Sequence, residues 1–389
     1  MNASSLAGPP RIRIAILSRQ FVQTGGGAER YAISLVEELS DRCEIHVFAQ
    51  HIGHSWPGVS YHPIPTLCKR PRWINQLWFA AVTWWKTRRG FDVVHSHEMT
   101  WHGQVQTVHV RPVKVSLFAG KRGPSRLAAC LKVATSPRLL VYLLLERFRL
   151  EGRGRKAIVA TSRGLSEEIQ GAYPETGDCI RLVTPGIKQI MGVTDAEKRR
   201  NARTALHLPL DAHCLLFIAN DYRKKGLPAL LQALARLEAA VHLVVVGNPV
   251  HIPEFRDMAE QMGVQGRVHF LGHRSDMDIC FCAADGLVHP TLEDTYAMVV
   301  LEAMSHALPV VVSSATYCGI SADLTDGENA LLIANPQDSE ALARQIDQVL
   351  TNSALRQQLG VAALQFAASR LWSEKADLQW RIYQEVGAL

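Results

Sequence analysis

Short aliphatic, β-branched runs alternate with stretches of helical periodicity along the whole chain, and few folds accept such a pattern. Residues 11–18 (RIRIAILS) form the first run, followed by a glycine turn at 24–27 and a helical stretch over 28–39 that puts Ala32, Leu35, Val36 and Leu39 on one face. Further strands are expected at 44–49, 92–96, 105–109, 157–161 and 180–183. A second series begins near Cys214, with strands at 214–219, 241–247 (VHLVVVG), 268–271, 285–289 and 308–313 and helices at 227–237 and 297–306. Strands this apolar are buried on both faces, so the pattern predicts α/β architecture with two doubly wound parallel-sheet domains in tandem. The punctuation Thr184-Pro185-Gly186 marks the junction, giving domains 1–186 and 187–371.

The chain has 389 residues, 47% hydrophobic and 20% charged, which excludes disordered, collagenous and coiled-coil classes. The longest apolar run, residues 139–145, is far short of the ~18 residues of a spanning helix. Residues 1–10 lack the apolar core of a signal peptide, so a cytosolic location is expected. Eight cysteines without a C-x-x-C pair read as buried thiols.

The net charge of +6 is unevenly spread. Up to Lys188 there are 26 Lys and Arg against 13 acids; the remainder carries 16 against 23. The surplus concentrates in residues 69–89, where six cations interleave with Trp73, Trp78, Phe79, Trp84 and Trp85, and in residues 111–156, with twelve cations and two acids. Basic residues among aromatics suit an anionic membrane surface, a nucleic acid, or mere solubility.

Four constellations sit where strands end. Gly25-Gly26-Gly27-Ala28-Glu29-Arg30 fits a plain tight turn as well as an anion site at a helix start; it is not a dinucleotide fingerprint. Asn220-Asp221-Tyr222-Arg223-Lys224-Lys225-Gly226 fits a solvated basic turn or a diphosphate site. The stretch from His289 to Met304 carries Asp294 and Glu302, eight residues apart, with helix-start amides expected near Tyr296–Val299 between them. A lone acid between Leu301 and Ala303 is costly without partners, whereas Asp294 also fits a helix N-cap. Finally, His95, His97 and Glu98, with His109, lie at strand ends, where imidazoles serve structure or bind a hydroxyl or phosphate. No metal-ligand spacing is present.

Taken in order and spacing, these motifs resemble the family 4 glycosyltransferases, of GT-B fold. Gly26-Gly27-Ala28-Glu29-Arg30 is similar to the family's G-G-A-E-R turn, Lys225-Gly226 to its lysine loop, and Asp294 to Glu302 to its E-x7-E, followed by an L-E-A-M-x-x-x-L-P-V-V run. Residues 183–187, 221–226 and the His-Pro opening of the acidic loop resemble the lipopolysaccharide core glucosyltransferase group. The resemblance implies two Rossmann-like domains facing a central cleft, an N-terminal acceptor domain completed by a C-terminal helix over 372–389, and a donor domain. It implies retaining, metal-independent transfer, with no cofactor, from a nucleotide-sugar such as UDP-glucose to a glycolipid or oligosaccharide acceptor, and no nucleic-acid partner. It also implies a peripheral enzyme on the cytoplasmic face of the bacterial inner membrane, held through the segments 69–89 and 111–156.

Carried onto this sequence, Glu302 holds ribose hydroxyls, Asp294 the sugar, and Lys225, with Lys224 or Arg223, the diphosphate. Amides at Tyr296, Ala297, Met298 and Val299 and at Gly26 and Gly27 complete the phosphate cradle, and Gly272 and His273 flank the base; His109 or His97 lies near the anomeric centre, where His109 counts as catalytic, and His97 with Glu98 faces the acceptor. Three positions depart from the pattern: Asp294 for glutamate, Ala297 for glycine, and Asn220 for arginine. The remaining alternatives are another donor (GDP-mannose or UDP-N-acetylglucosamine) for exopolysaccharide or O-antigen synthesis, an inactive GT-B scaffold, and a nucleotide-dependent dehydrogenase or epimerase, which the missing dinucleotide fingerprint opposes.

Overall fold

The computed structural model describes residues 11–23, 25–151 and 155–387. Residues 1–10, Thr24 of the glycine turn, residues 152–154 of the second basic segment and residues 388–389 lie outside the described residues. The chain forms two compact units: unit 1 comprises Met1–Thr184 with Trp372–Leu389, and unit 2 comprises Pro185–Leu371.

Unit 1 is built on a seven-stranded sheet, parallel throughout, in the spatial order Val59–Pro63, Glu44–Ala49, Arg13–Leu17, Val93–Ser96, Val105–Val108, Ala157–Ala160, Ile180–Leu182. The chain starts in the middle, grows one way, then crosses back to grow the other, so the order reverses between Arg13–Leu17 and Val93–Ser96. Loops leaving the carboxyl ends of these two strands therefore diverge and leave a crevice, the usual ligand position in such sheets. Helix Gly27–Leu39 packs Tyr31, Ala32, Leu35, Val36 and Leu39 inward, and the buried Tyr31 hydroxyl donates to the Val183 carbonyl at 3.1 Å. The last helix, Trp372–Gly387, returns to unit 1 and sets Trp372 edge-on to Tyr31, centroids 5.0 Å apart.

Unit 2 repeats the plan with six parallel strands, in the order Val268–Gly272, Val241–Gly247, His213–Ala219, Gly286–His289, Val310–Ser313, Leu331–Ile333. Its reversal lies between His213–Ala219 and Gly286–His289. Alternate residues feed two separate cores: Leu216, Val244, Leu287 and Val312 on one face, Leu215, Phe217, Val245 and Val311 on the other. Burial on both faces is why these strands read as continuous apolar runs.

The fold is the doubly wound α/β architecture that the alternation predicts, and several local expectations change. The half-exposed strand Val59–Pro63 has too little apolar pattern to stand out, and Leu331–Ile333, though wholly apolar, is only three residues long. Residues 111–156 contain three helices, Val113–Phe118, Pro124–Ala134 and Pro137–Leu150. Among the described residues no single helix is long and apolar enough to cross a membrane; the last two together reach that apolarity but are bent by 97°. Cysteine burial is mixed, for Cys43, Cys214, Cys280 and Cys318 are buried while Cys130 is exposed. The units divide after Thr184, two residues before the expected boundary.

Candidate functional site

At the reversal of unit 2, two loops leave adjacent strands and lock together. The first runs from Ala219 to helix Leu227–Leu234, and Gly226 ends it at φ +85°. A β-carbon on Gly226 would lie 1.9 Å from the Pro290 carbonyl oxygen, so glycine is required both by the dihedral and by the approach of the second loop. The Leu292 amide also donates to the Lys224 carbonyl at 2.9 Å. Local backbone contacts thus carry Lys225 to the acidic loop.

There the Lys225 ammonium donates to the Glu293 carbonyl at 2.8 Å and to Asp294 Oδ2 at 2.6 Å. His289 Nε2 lies 3.2 Å from the same oxygen and must be the donor, because an ionised carboxylate only accepts. Asp294 Oδ1 accepts the amides of Ala297 at 2.9 Å and Tyr296 at 3.3 Å. Burial pushes the Asp294 pKa up, but the His289 hydrogen bond and the Lys225 charge outweigh it and hold the carboxyl well below the usual carboxylate range. The backbone of Asp294 is fixed too, its N–H on Tyr317 O at 2.8 Å and its carbonyl on Gly319 N at 2.9 Å.

These bonds alter the sequence reading of the cradle. Asp294 and Glu302 do not share one helix: the helix spans Met298–Ser305, and Asp294 belongs to the loop before it. Asp294 does act as a cap, over the turn preceding the helix, so the amides of Tyr296 and Ala297 are already taken. Among the described residues, those of Met298 and Val299 donate to no protein acceptor, as first-turn amides of a helix must unless capped. Ala297 precedes them at φ +62°, a left-handed conformation that costs a non-glycine residue about 1–2 kcal/mol. Glu302 is the second residue of the same helix's LEAM run, partly buried.

Other expected donor residues are placed differently. Arg223 pairs with Glu254 and lies over the Phe255 ring at 5.8 Å, so its charge is directed to the neighbouring helix Ile252–Gln261. Lys224 faces Glu293 at 3.8 Å, and Asn220 is exposed. Gly272 closes strand Val268–Gly272 at φ +67°, and exposed His273 follows it.

At the reversal of unit 1, Gly25 folds back on Val22 (N–H to O 3.1 Å) and a β-carbon there would meet Glu29 Cβ at 2.8 Å. Gly26 is the N-cap of helix Gly27–Leu39. Three histidines gather beside this turn's strand. His95 bonds Tyr383 Oη at 2.7 Å and Thr107 Oγ1 at 2.6 Å, and His97 Nδ1 lies 2.9 Å from His109 Nε2. The rings of His97 and His109 stack at 5.3 Å, and Tyr31 meets His109 edge-on. Burial lowers all three pKa values, with help from the Arg149 cation: His97 falls to about 3, His95 and His109 well below the ordinary imidazole value. All three are therefore neutral at physiological pH. Glu98 is engaged by Arg19, whose amide and Nε donate to its two oxygens at 3.1 and 2.9 Å.

Sequence reasoning missed His289, Tyr383 and Arg149. The first had a signal, since it ends the strand that begins the acidic loop. Tyr383 lies 288 residues from its partner, a contact no local pattern reveals. Arg149 donates to Gln106 Oε1 at 3.3 Å and to the Thr107 carbonyl from inside a segment that reads as surface charge.

Two family profiles match end to end: glycosyltransferase family 4 over residues 25–188 and glycosyl transferases group 1 over residues 198–366. The chain belongs to glycosyltransferase family 4. The family's two-unit plan is shared by a crystal structure of WaaG, a glycosyltransferase involved in lipopolysaccharide biosynthesis (TM-score 0.79, 23% identity, 94% of this chain and 98% of that one). A structure of Anabaena HepE with UDP-glucose is similar at TM-score 0.75 and 18% identity, covering 97% of this chain and 100% of that one. By sequence, the lipopolysaccharide glucosyltransferase WaaG of Escherichia coli is 28% identical over 227 residues, 55% of this chain and 58% of the relative. The D-inositol 3-phosphate glycosyltransferase of Stackebrandtia nassauensis is 30% identical over 235 residues, 57% and 52% respectively. The chain thus spans only a little over half the length of the curated relatives it matches.

Proposed function

We propose that this protein transfers a hexose, with retention, from a UDP-sugar such as UDP-glucose to a hydroxyl of a membrane-associated glycolipid such as the lipopolysaccharide core. The observation that carries the donor half is the group formed by Lys225, Asp294 and the open amides of Met298 and Val299. An ammonium with a spare donor beside a helix start offers a diphosphate both charge and N–H bonds. Glu302, farther along the same helix, offers a carboxylate to vicinal ribose hydroxyls. As the bond from the anomeric carbon to the phosphate oxygen breaks, negative charge grows on the departing diphosphate, and preorganised donors stabilise it; the acceptor hydroxyl attacks the anomeric carbon from the same face and gives its proton to the departing phosphate oxygen. Lys225 and the helix amides supply this stabilisation without a metal ion or cofactor. Among the described residues no three His, Cys, Asp or Glu side chains converge as a cation site.

Unit 1 takes the acceptor. Neutral His97 and His109 exchange hydrogen bonds with hydroxyls, while its charge, 27 Lys and Arg against 16 acids, favours a phosphorylated lipid and the anionic surface that carries it. Exposed Trp84, Trp85, Leu127, Leu131, Leu144 and Phe148 on the basic helices support peripheral attachment to a membrane; the cytoplasmic face of the inner membrane is the surface we propose. The likeness to WaaG, named for lipopolysaccharide, and to HepE, seen with UDP-glucose, supports the same reading. The likeness to D-inositol 3-phosphate glycosyltransferases favours a second one, a soluble phosphorylated polyol as acceptor.

Calorimetry with UDP and GDP, on the wild type and on Glu302→Ala, tests the donor. UDP should bind and the variant should weaken it; binding of neither nucleotide overturns the reading. A panel of UDP-glucose, UDP-galactose, UDP-N-acetylglucosamine and GDP-mannose against core glycolipid and inositol phosphate then selects donor and acceptor.

A further inference from the structure

The histidine cluster and the glycine turn occupy the carboxyl edge of the unit 1 sheet. At the opposite, amino edge, about 13 Å away along four-residue strands, lies a cavity of about 530 Å³ that no step of the transfer uses. It is bounded by the end of helix Arg72–Thr87, by the segments that lead into strands Val93–Ser96, Val105–Val108 and Ala157–Ala160, and by the end of helix Pro137–Leu150. Three cations line it, Arg88, Arg155 and Lys156, against one acid, Glu151.

Trp101 and Phe148 form part of its wall and also wall a second cavity of about 370 Å³, lined otherwise by Leu77, Val141, Leu144 and Leu145 alone. The two chambers thus adjoin across two aromatic rings, one rich in positive charge and one apolar. Around the apolar chamber, Leu144 is 54% and Phe148 50% exposed, and Trp84 beside the charged one is 46% exposed. Lys156, its Nζ on the Phe148 carbonyl at 2.8 Å, is drawn inward, so its charge is poorly solvated and gains from an anionic partner.

We propose that these joined chambers form a binding site for one anionic lipid, its phosphate among Arg88, Arg155 and Lys156 and its acyl chain against Leu77, Val141, Leu144 and Leu145. A free phosphate would leave the apolar chamber wet, and a neutral hydrocarbon would leave the excess of cations over Glu151 unmatched; an anionic amphiphile satisfies both. The site is separate from the acceptor edge, so its occupant anchors the enzyme and is not consumed. It rests on the membrane-facing part of the proposed function and adds to it a discrete, saturable site.

The test uses dihexanoyl phosphatidylglycerol below its micelle concentration, followed by tryptophan fluorescence and calorimetry on the full chain. Saturable binding is expected, roughly tenfold tighter than that of dihexanoyl phosphatidylcholine or inorganic phosphate. Arg88→Glu and Leu144→Glu, both at exposed side chains, should each weaken it roughly tenfold with unchanged circular dichroism and UDP affinity. Equal affinity for both lipids, phosphate binding as tight as the lipid, or indifference to both substitutions overturns the site. Flotation with vesicles of phosphatidylcholine and phosphatidylglycerol separates the two readings. Vesicle binding without monomer binding removes the site and keeps the membrane reading; loss of both removes both.

Discussion

The two reversal points of this protein occupy equivalent places in two similar sheets and are furnished in opposite ways. In unit 2 an ammonium and a carboxylate meet at 2.6 Å, half-buried, with an imidazole and two backbone amides completing the carboxylate's bonds. In unit 1 three imidazoles, all uncharged, pack beside a buried tyrosine; His97 and His109 stack and share a hydrogen bond, while His95 bonds Tyr383 and Thr107. Topology fixes where a ligand goes; the residues at the strand ends decide which charge it brings. A site of ions suits a leaving diphosphate, whereas neutral donors and acceptors suit sugar hydroxyls that change little in charge.

The largest effect should come from breaking the charged side. Lys225→Ala should lower kcat by about 10²–10³-fold, the range for removing one preorganised oxyanion donor, with a smaller change in KM. A fall of only a few-fold would mean that the helix amides suffice. On the neutral side, Tyr383→Phe removes the hydroxyl that bonds buried His95 and should cost about 1–3 kcal/mol in urea unfolding.

Proton linkage separates the two sites more finely. Burial depresses the histidine pKa values, so the unfolded chain takes up protons that the native one refuses. The stability they contribute is complete above the ordinary pKa of about 6.5 and is lost as pH falls toward the native values, at about 1.4 kcal/mol per pH unit per histidine. For His97 that loss continues down to about pH 3. His97→Gln should therefore flatten the decline of Tm between pH 6.5 and 5. Asp294→Asn should leave that slope unchanged, because Asp294 is ionised throughout and loses its contribution only below the ordinary carboxylate range. Smallest of all, Ala297→Gly should raise stability by about 1 kcal/mol or less, relieving the dihedral at φ +62° at the expense of unfolded-state entropy.

Much of this was legible in the sequence, for reasons that differ between residues. Val241–Gly247 is apolar on both faces and announced itself; Val59–Pro63 is half-exposed at a sheet edge and did not. Lys225, Asp294 and Glu302 stand in short loops and a helix whose spacing is written locally. The fate of Arg223 was hidden, since Glu254, thirty-one residues on, claims it. The same holds for Tyr296 and Ala297, whose amides serve Asp294 before any ligand arrives. What a sequence conceals here is competition: which of several suitable partners a charged or polar group takes is settled by distant backbone.

The chain leaves unit 1 at Thr184 and re-enters it at Trp372, and that order has a consequence for biosynthesis. Unit 2 emerges from the ribosome whole and can fold while unit 1 still lacks its closing helix. Until residues 372–387 arrive, Tyr31 has no Trp372 and His95 no Tyr383. Unit 1 is thus begun before unit 2 and completed after it, and a nascent chain stalled before residues 372–387 presents to chaperones the apolar surface that this helix covers.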